Sequence, residues 1–238
     1  MHKEKIYSGS SKSLYSIDDD YTMILSFDDG MRLGPEKDIE IAGKGVLCNS
    51  ISAFLMEKLD LVGIENHFIQ KNNMRQQMIQ CVDIYPLQVR ISSIATNRYV
   101  TDFGMEEGFV FDTPIIDFRI KNSKLDYPVI NESQINSFGW LSKQEIKQLK
   151  VQTARVHDFL TGIFAGVGIR LVECCLEFGR VFNGEEFSVM LADEISPDNL
   201  RLWDMESNNK LSFELADESP ESIVPAYKEV LQRLNVIK

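Results

Sequence analysis

The sequence is poor in histidine and cysteine, and it lacks the motifs of zinc centres, disulfide frameworks and serine nucleophiles. Its three histidines lie far apart and form neither an HExxH motif nor a pair with metal-ligand spacing, which argues against catalytic zinc. Its four cysteines contain no CxxC pair and are too few for a disulfide framework in 238 residues. No GxSxG motif occurs. Carboxylates, lysines, arginines and a bound ion therefore remain to carry the chemistry.

Basic charge and long apolar runs are also scarce. Lysine and arginine total 25 against 36 aspartates and glutamates, which gives a net charge of −11. The sequence contains no run of basic residues that could form a local basic patch, so we expect no nucleic-acid partner. The longest largely apolar stretch, residues 159–169, is too short to cross a bilayer. The first residues lead into no apolar segment typical of export. We predict a cytoplasmic globular protein with no membrane partner.

The first half of the chain has the pattern of a β-rich unit with one helix. Strand-forming residues dominate residues 5–27. Apolar residues at helical spacing predict a helix over residues 46–61, which Gly63 ends. Two further strands are predicted over residues 67–69 and 76–83.

The second half has a mixed pattern of strands and helices. Pro86 marks the boundary, because a residue before proline is pushed to an extended conformation. A capping-box pattern that begins at Ser142 predicts a long helix, and a closing helix is predicted over residues 220–234. Further strands are predicted over residues 87–91, 115–120, 169–178 and 187–193. We therefore predict an α+β fold of two lobes, residues 1–85 and 86–238, with antiparallel strands and flanking helices.

A predicted hairpin in the second lobe brings acidic residues together. The Asn-Gly pair at 183–184 is the strongest hairpin signal in the sequence. Even-numbered residues from 172 to 178 form an apolar face of the first strand, whereas Glu173 and Glu177 lie on the opposite face. On a lone strand such a face is usually solvated. The second strand adds Asp193 at the same end, which favours a site.

The length of the hairpin loop decides whether these acids meet. A two-residue loop would place Asp193 on the apolar face, whereas a three-residue loop would place it opposite Cys175, on the side of Glu177. We predict the three-residue loop, with Gly184 at positive φ in a bulge. Glu177 and Asp193 would then hold Mg²⁺ that carries substrate phosphates, since magnesium is usually bound by one or two carboxylates.

Small residues followed by a lysine form a second candidate site at residues 9–12. Gly9, Ser10 and Ser11 would let backbone N–H groups approach phosphate oxygens, and Lys12 would supply a positive charge. A plain hairpin turn is the competing interpretation of the same residues. Together with the acidic hairpin, this segment predicts a nucleotide held between the two lobes.

Several stretches resemble the SAICAR synthetase family (phosphoribosylaminoimidazole-succinocarboxamide synthase). They are residues 5–9 (KIYSG), 63–69 (GIENHFI), 121–122 (KN), 128–132 (PVINE), 176–179 (LEFG) and, most specifically, 192–198 (ADEISPD) followed by 201–204 (RLWD). The similarity covers residues 5–234. It implies two α+β lobes around a nucleotide cleft. It also implies ATP-dependent ligation of L-aspartate to a carboxyaminoimidazole ribonucleotide in purine biosynthesis, giving ADP and phosphate.

The resemblance also implies roles for individual residues. The residues implied to bind ATP are Gly9 and Lys12 at the phosphates, Ile84 at the adenine, and Lys121. The residues implied to be catalytic are Lys121, Glu177 and Asp193, of which Glu177 and Asp193 would hold Mg²⁺. The residues implied to bind the ribonucleotide are Ser196, Asp198 and Arg201.

The sequence departs from the family pattern at cationic positions. Ser10 and Cys175 stand where the family has lysines, Ser92 stands where it has an arginine, and the family's DKDxFR motif is replaced at residues 211–216 (LSFELA). Losing one buried, charge-assisted contact typically costs about 2–5 kcal/mol. Several such losses would abolish most activity unless other residues replace them.

Two arginines offer that replacement. Arg90 lies two residues before Ser92, on the same face of the strand, and Arg98 stands where the family has a serine. We hypothesise that both bind the ribonucleotide. Three functions stay open: a working SAICAR synthetase, an impaired paralogue that binds nucleotide as a regulatory or partner subunit, and a different phosphotransferase. The oligomeric state is open as well, including a homo-oligomer.

Overall fold

The computed structural model describes residues 4–33, 37–182, 184–217 and 219–236. Its strands are β1 (Glu4–Ser8), β2 (Lys12–Ile17), β3 (Asp19–Phe27), β4 (Gly30–Arg32), β5 (Asp38–Glu40), β6 (Phe68–Lys71), β7 (Gln76–Gln80), β8 (Asp83–Ile84), β9 (Leu87–Ile94), β10 (Val110–Ile120), β11 (Val129–Ile130), β12 (Ile169–Phe182), β13 (Phe187–Ala192) and β14 (Leu200–Asp204). Its α-helices are α1 (Lys44–Leu61), α2 (Arg98–Thr101), α3 (Glu132–Ser137), α4 (Lys143–Ala165) and α5 (Ile223–Arg233). Short 3₁₀ turns occupy Ser123–Leu125, Phe213–Ala216 and Pro220–Ser222. None of the described helices is long and apolar enough to span a membrane.

The first half of the chain forms a five-stranded antiparallel sheet in the order β1-β2-β3-β7-β6. Helix α1 packs against this sheet. Its apolar residues recur every four positions, and Ile51, Leu55 and Leu59 are fully buried. The helix ends where Gly63 adopts a positive φ of 73°, as the sequence predicts. The α+β class is therefore confirmed in this half.

The second half is organised around the fourteen-residue strand β12. The seven-stranded sheet runs β11-β10-β9-β12-β13, and β8 and β14 also pair with β12. Helix α4 begins with the predicted capping box, in which Ser142 and Glu145 exchange hydrogen bonds, and it packs on β12. Val172, Cys174 and the other even-numbered residues to 178 are buried, which confirms the predicted apolar face.

The hairpin between β12 and β13 has a different register from the predicted one. Phe182 pairs with Phe187, so four residues of the sequence separate the paired strand ends and the three-residue prediction is wrong. Gly184 does adopt the predicted positive φ, at 101°, while Asn183 lies outside the described residues. The two phenylalanine rings contact each other, with centroids 5.2 Å apart, across the end of the ribbon. This cross-strand pair accounts for the longer loop.

The segment before Pro86 joins both sheets. Residues 76–83, predicted as one strand, form β7 and then β8, and β8 pairs with β12 at Gly179. A Cβ atom at Gly179 would lie 2.4 Å from the carbonyl oxygen of Asp83, so only glycine allows this approach. The division into lobes at residues 85 and 86 remains a prediction.

Candidate functional site

A cavity of about 840 Å³ lies between the five-stranded sheet and the hairpin end of the seven-stranded sheet. Its apolar lining residues include Leu14, Met23, Leu25, Ile79, Val82 and Ile84. Its charged lining residues include Lys12, Lys121, Glu177, Asp193, Glu194 and Asp198. A cavity of this size, apolar on one side and ionic on the other, suits a ligand with an aromatic base and a charged tail.

The turn at residues 9–12 is both a hairpin turn and part of the cavity wall, so its two interpretations are compatible. It joins β1 to β2, and the Gly9 N–H donates to the Lys12 carbonyl at 2.8 Å. The Asp28 N–H donates to the Ser11 carbonyl at 2.7 Å, which ties the turn to the end of β3. Gly30 packs directly against it, because a Cβ there would lie 1.9 Å from the Ser10 carbonyl oxygen.

Two lysines cross-link the acidic residues of the cavity. Lys121 binds Glu177, which also accepts a hydrogen bond from Gln88 at 3.1 Å. Lys12 binds Asp193 and lies 2.9 Å from a carboxylate oxygen of Glu194. Burial, and next the charge of Asp193, raise the pKa of Glu177. Burial acts the same way on Asp193, but the charges of Lys12 and Lys121 prevail and lower its pKa. The negative charge of Asp193 thus acts on the pKa of Glu177, as expected of two carboxylates that share one site.

Asp193 reaches the cavity by a route that the register prediction did not contain. Strand β13 ends at Ala192, and Asp193 adopts a left-handed conformation with φ 61°. The Nε2–H of His67 donates to the Asp193 carbonyl at 2.7 Å, and the His67 N–H donates to the Leu191 carbonyl. Burial lowers the pKa of His67 to about 4, so the ring is neutral at pH 7. A neutral histidine therefore holds the turn that aims Asp193.

The donor set at this end of the cavity fits Mg²⁺. Glu177 and Asp193 supply hard carboxylate oxygens, which magnesium prefers, and both line the cavity. Lys12 and Lys121 neutralise these two carboxylates. The same lysines are cations of the kind that bind phosphate oxygens.

The face of β12 that carries Glu173 is buried, whereas the same face on a lone strand would usually be solvated. Glu173 is 4% exposed and accepts a hydrogen bond from Ser92 at 3.1 Å. Arg90 and Arg201 lie 3.5 and 3.9 Å from its carboxylate oxygens. The Nε atoms of both arginines have no hydrogen-bond partner among the described residues. This polar cluster continues the sheet face that begins at Glu177.

The predicted ribonucleotide residues occupy different environments. Asp198 lines the cavity, whereas Ser196 is fully buried and donates to Glu194 at 2.5 Å. Arg201 is buried against Glu214, and its guanidinium lies 5.0 Å from the ring centroid of Phe213. Arg98 is bound to Asp102 at 2.9 Å on the surface. Arg98, Ser196 and Arg201 are not part of the described cavity wall. Of the predicted nucleotide residues, Gly9, Lys12, Ile84 and Lys121 all line it.

Two residues that contact Asp198 were missed from the sequence. Lys44, at the start of α1, binds one carboxylate oxygen, and the hydroxyl of Tyr227 in α5 donates to the other at 2.7 Å. Lys44 is 1% exposed, which is unusual for a lysine. The only local signal is its position between Gly43 and Gly45. The role of Tyr227 was masked because it belongs to the apolar stripe of its helix.

Fold and cavity together define an α+β protein with a cavity of nucleotide size between two sheets. Comparison with known proteins identifies its family. The model of the SAICAR synthetase family matches residues 5–234. The phosphoribosylaminoimidazole-succinocarboxamide synthase of Rickettsia massiliae (strain Mtu5) is 56% identical over 232 residues, which cover 98% of both chains. The chain belongs to the SAICAR synthetase family.

Solved structures support the same assignment. The crystal structure of the Ehrlichia chaffeensis phosphoribosylaminoimidazole-succinocarboxamide synthase superposes with a TM-score of 0.95 at 37% identity, covering 99% of this chain and 100% of that one. A SAICAR synthetase (Type-2) in complex with ADP superposes with a TM-score of 0.91 at 31% identity over 98% of both chains. The predicted fold and family are confirmed, and the chain is a ligase of purine biosynthesis that uses a nucleotide.

Proposed function

We propose that this chain uses ATP to join L-aspartate to a carboxyaminoimidazole ribonucleotide, with release of ADP and phosphate. The observation that carries the proposal is the cavity, which combines an apolar wall with two lysines and two carboxylates at its charged end. An oxygen of the ribonucleotide carboxylate attacks the γ-phosphorus, and ADP leaves. The aspartate amine then attacks the acyl carbon, loses a proton, and phosphate leaves.

The cavity residues have separate roles in this proposal. Gly9 and Lys12 bind phosphates through the turn and its charge, and Ile84 contacts the adenine. Lys121 stabilises the negative charge of the transferring phosphoryl group. Glu177 and Asp193 would hold Mg²⁺, which supplies charge neutralisation at the phosphates.

On the ribonucleotide side the proposal places Asp198, which lines the cavity, and Ser196 and Arg201, which do not, with Arg90 and Arg98 as compensating cations. Arg90 is supported by its unpaired Nε and its place on the polar sheet face that reaches the cavity. Arg98 is already engaged by Asp102, so we expect a smaller contribution from it. Calorimetric titration of Arg90→Ala and Arg98→Ala with the ribonucleotide tests this assignment. Unchanged affinity in both variants would make it wrong.

Substrate turnover is the direct test of the proposed function. Purified protein with ATP, Mg²⁺, L-aspartate and the ribonucleotide should release ADP, and this release should require both other substrates. Family membership and 56% identity to a named synthase favour this outcome over an impaired paralogue or an unrelated phosphotransferase. Thermal stabilisation by nucleotide without any turnover would instead support the impaired paralogue.

The division into lobes, the cellular location and the oligomeric state belong to the same proposal. We assign residues 1–85 to a nucleotide lobe, which contains the five-stranded sheet, and 86–238 to a substrate and metal lobe, which contains every strand of the seven-stranded sheet except β8. A cytoplasmic location suits an enzyme that consumes ATP and aspartate. A homo-oligomer is a proposal that sedimentation analysis can test.

A further inference from the structure

A buried lysine and a buried tyrosine lie directly behind Asp198. The carboxylate of Asp198 is 11% exposed and lines the cavity. Lys44 binds its Oδ2, and Tyr227 donates to its Oδ1 at 2.7 Å. The side chain of Lys44 is 1% exposed, and Tyr227 is fully buried. Neither donor belongs to the described cavity wall, so both reach the cavity only through Asp198.

Burying this ion pair is energetically costly, so a contribution to stability is a poor explanation for it, and a role at the cavity is a better one. Removing an ammonium and a carboxylate from water costs several kcal/mol per ion, and their attraction repays this only with good geometry and further hydrogen bonds. Burial alone would lower the pKa of Lys44. The negative charge of Asp198, aided by smaller contributions from other groups, outweighs burial, so the pKa rises overall. Lys44 is therefore charged at pH 7, and it contacts Asp198 as a cation.

The two donors also fix the orientation of the carboxylate. A carboxylate has about four lone-pair positions, of which Lys44 and Tyr227 occupy two from behind. The N–H of Asp198 donates to Ser196 Oγ at 3.1 Å, which fixes the backbone as well. Because Asp198 lines the cavity, its remaining lone pairs are available there to accept hydrogen bonds from a ligand. A ligand phosphate would be repelled there, whereas a hydroxyl group would be bound.

We propose that Lys44 and Tyr227 are positioning residues that hold the Asp198 carboxylate aimed at the hydroxyl groups of the bound ribonucleotide. This inference rests on the proposed function. Lys44 belongs to α1 and Tyr227 to α5, two helices that pack against each other, so elements from both halves of the chain orient one substrate contact. Neither residue touches the reacting atoms.

Tyr227→Phe is the principal test, because it removes one hydroxyl and leaves the ring in the core. A hydrogen bond to a charged group is typically worth about 1.5–3 kcal/mol, so we expect the KM for the ribonucleotide to rise about tenfold or more. The KM for ATP should stay within about twofold. Tyr85→Phe is a matched control, since Tyr85 is buried and does not line the cavity. Its hydroxyl donates to a carboxylate oxygen of Glu145 at a distance of 3.1 Å. It should lower stability similarly and leave both KM values unchanged.

A double-mutant comparison shows whether Tyr227 acts through Asp198. In an Asp198→Asn background, adding Tyr227→Phe should change ribonucleotide affinity by less than about twofold. Lys44→Met provides a second variant, and calorimetric binding of the ribonucleotide serves if turnover becomes too slow. The inference is overturned if Tyr227→Phe behaves like Tyr85→Phe, or if its effect is equally large in both backgrounds. Failure of the proposed function looks different, because the unmodified protein would then neither turn over nor bind the ribonucleotide.

Discussion

Replacing Gly30 with alanine tests whether close backbone packing positions the turn at residues 9–12. The added Cβ would lie 1.9 Å from the carbonyl oxygen of Ser10. Real Cβ contacts essentially never fall below 3.0 Å, so the two segments must separate by about 1.1 Å. The obstructing atom belongs to the backbone, and no change of side-chain rotamer relieves the clash. The turn itself has to move.

Movement of the turn displaces Lys12 from the charged end of the cavity. The Gly9 N–H is bonded to the Lys12 carbonyl, so the two ends of the turn shift together. Overpacking of this kind typically costs about 1–3 kcal/mol of stability, and a displacement of about 1 Å can cost about a hundredfold in rate. We expect kcat/KM for ATP to fall about 10- to 100-fold in Gly30→Ala, with a lower midpoint of thermal unfolding.

A second glycine provides the matched control. Gly162 lies inside α4, and a Cβ there would meet no atom within 4 Å. Gly162→Ala should stabilise the protein by about 0.5–1 kcal/mol through helix propensity and leave ATP kinetics unchanged. Steady-state ADP release and thermal unfolding of both variants decide the matter. Normal stability and ATP kinetics in Gly30→Ala would refute the reasoning.

Three further predictions concern metal binding, acid stability and the core. Glu177→Gln should reduce ADP release at least about a hundredfold, because Mg²⁺ would lose one of its two proposed carboxylate ligands. Raising the Mg²⁺ concentration should restore part of the ADP release. Full activity of the variant at low Mg²⁺ would contradict the proposed metal site. Burial raises the pKa of Glu145, but hydrogen bonds, chiefly from Arg180, lower it overall to about 2. Its contribution, about 2 kcal/mol after solvent screening, is therefore complete above pH 4.5 and lost as pH falls towards 2. Urea unfolding should show Glu145→Gln less stable than the unmodified protein at pH 7 and equal to it near pH 2; a gap independent of pH would exclude the ion pair as its source. Leu160→Ala in the fully buried face of α4 should cost about 2–5 kcal/mol in urea unfolding, whereas Val151→Ala on the exposed face of the same helix should cost under about 0.5 kcal/mol, and equal losses would place the core elsewhere.

Local patterns predicted the helices better than the strand pairing. The capping box at Ser142 and the apolar repeat of α1 depend on residues within one or two turns, so they can be read from a short window. Strand register depends on contacts between separate segments. The loop after β12 is longer than predicted because Phe182 meets Phe187 across the ribbon, and the Asn-Gly signal carries no information about that contact.

The candidate site was predictable where its chemistry is local and missed where it is assembled from distant segments. Lys12 and Asp193 were identified by their neighbours in sequence, and both line the cavity. The burial of Glu173 was not predictable, because its partners Arg90 and Arg201 come from strands on either side of β12. His67 was also missed, since only the folded chain brings its ring to the carbonyl of Asp193.

The pairing partners of β12 determine when a newly made chain can become active. This one strand hydrogen-bonds to β8 and β9, which are synthesised before it, and to β13 and β14, which are synthesised after it. While β14 is still inside the ribosome, it cannot pair with β12. The sheet that holds Glu177 is therefore incomplete at that stage. During translation the cavity can form only after β14 has been made, so ribosome-bound fragments that lack β14 should consume no ATP.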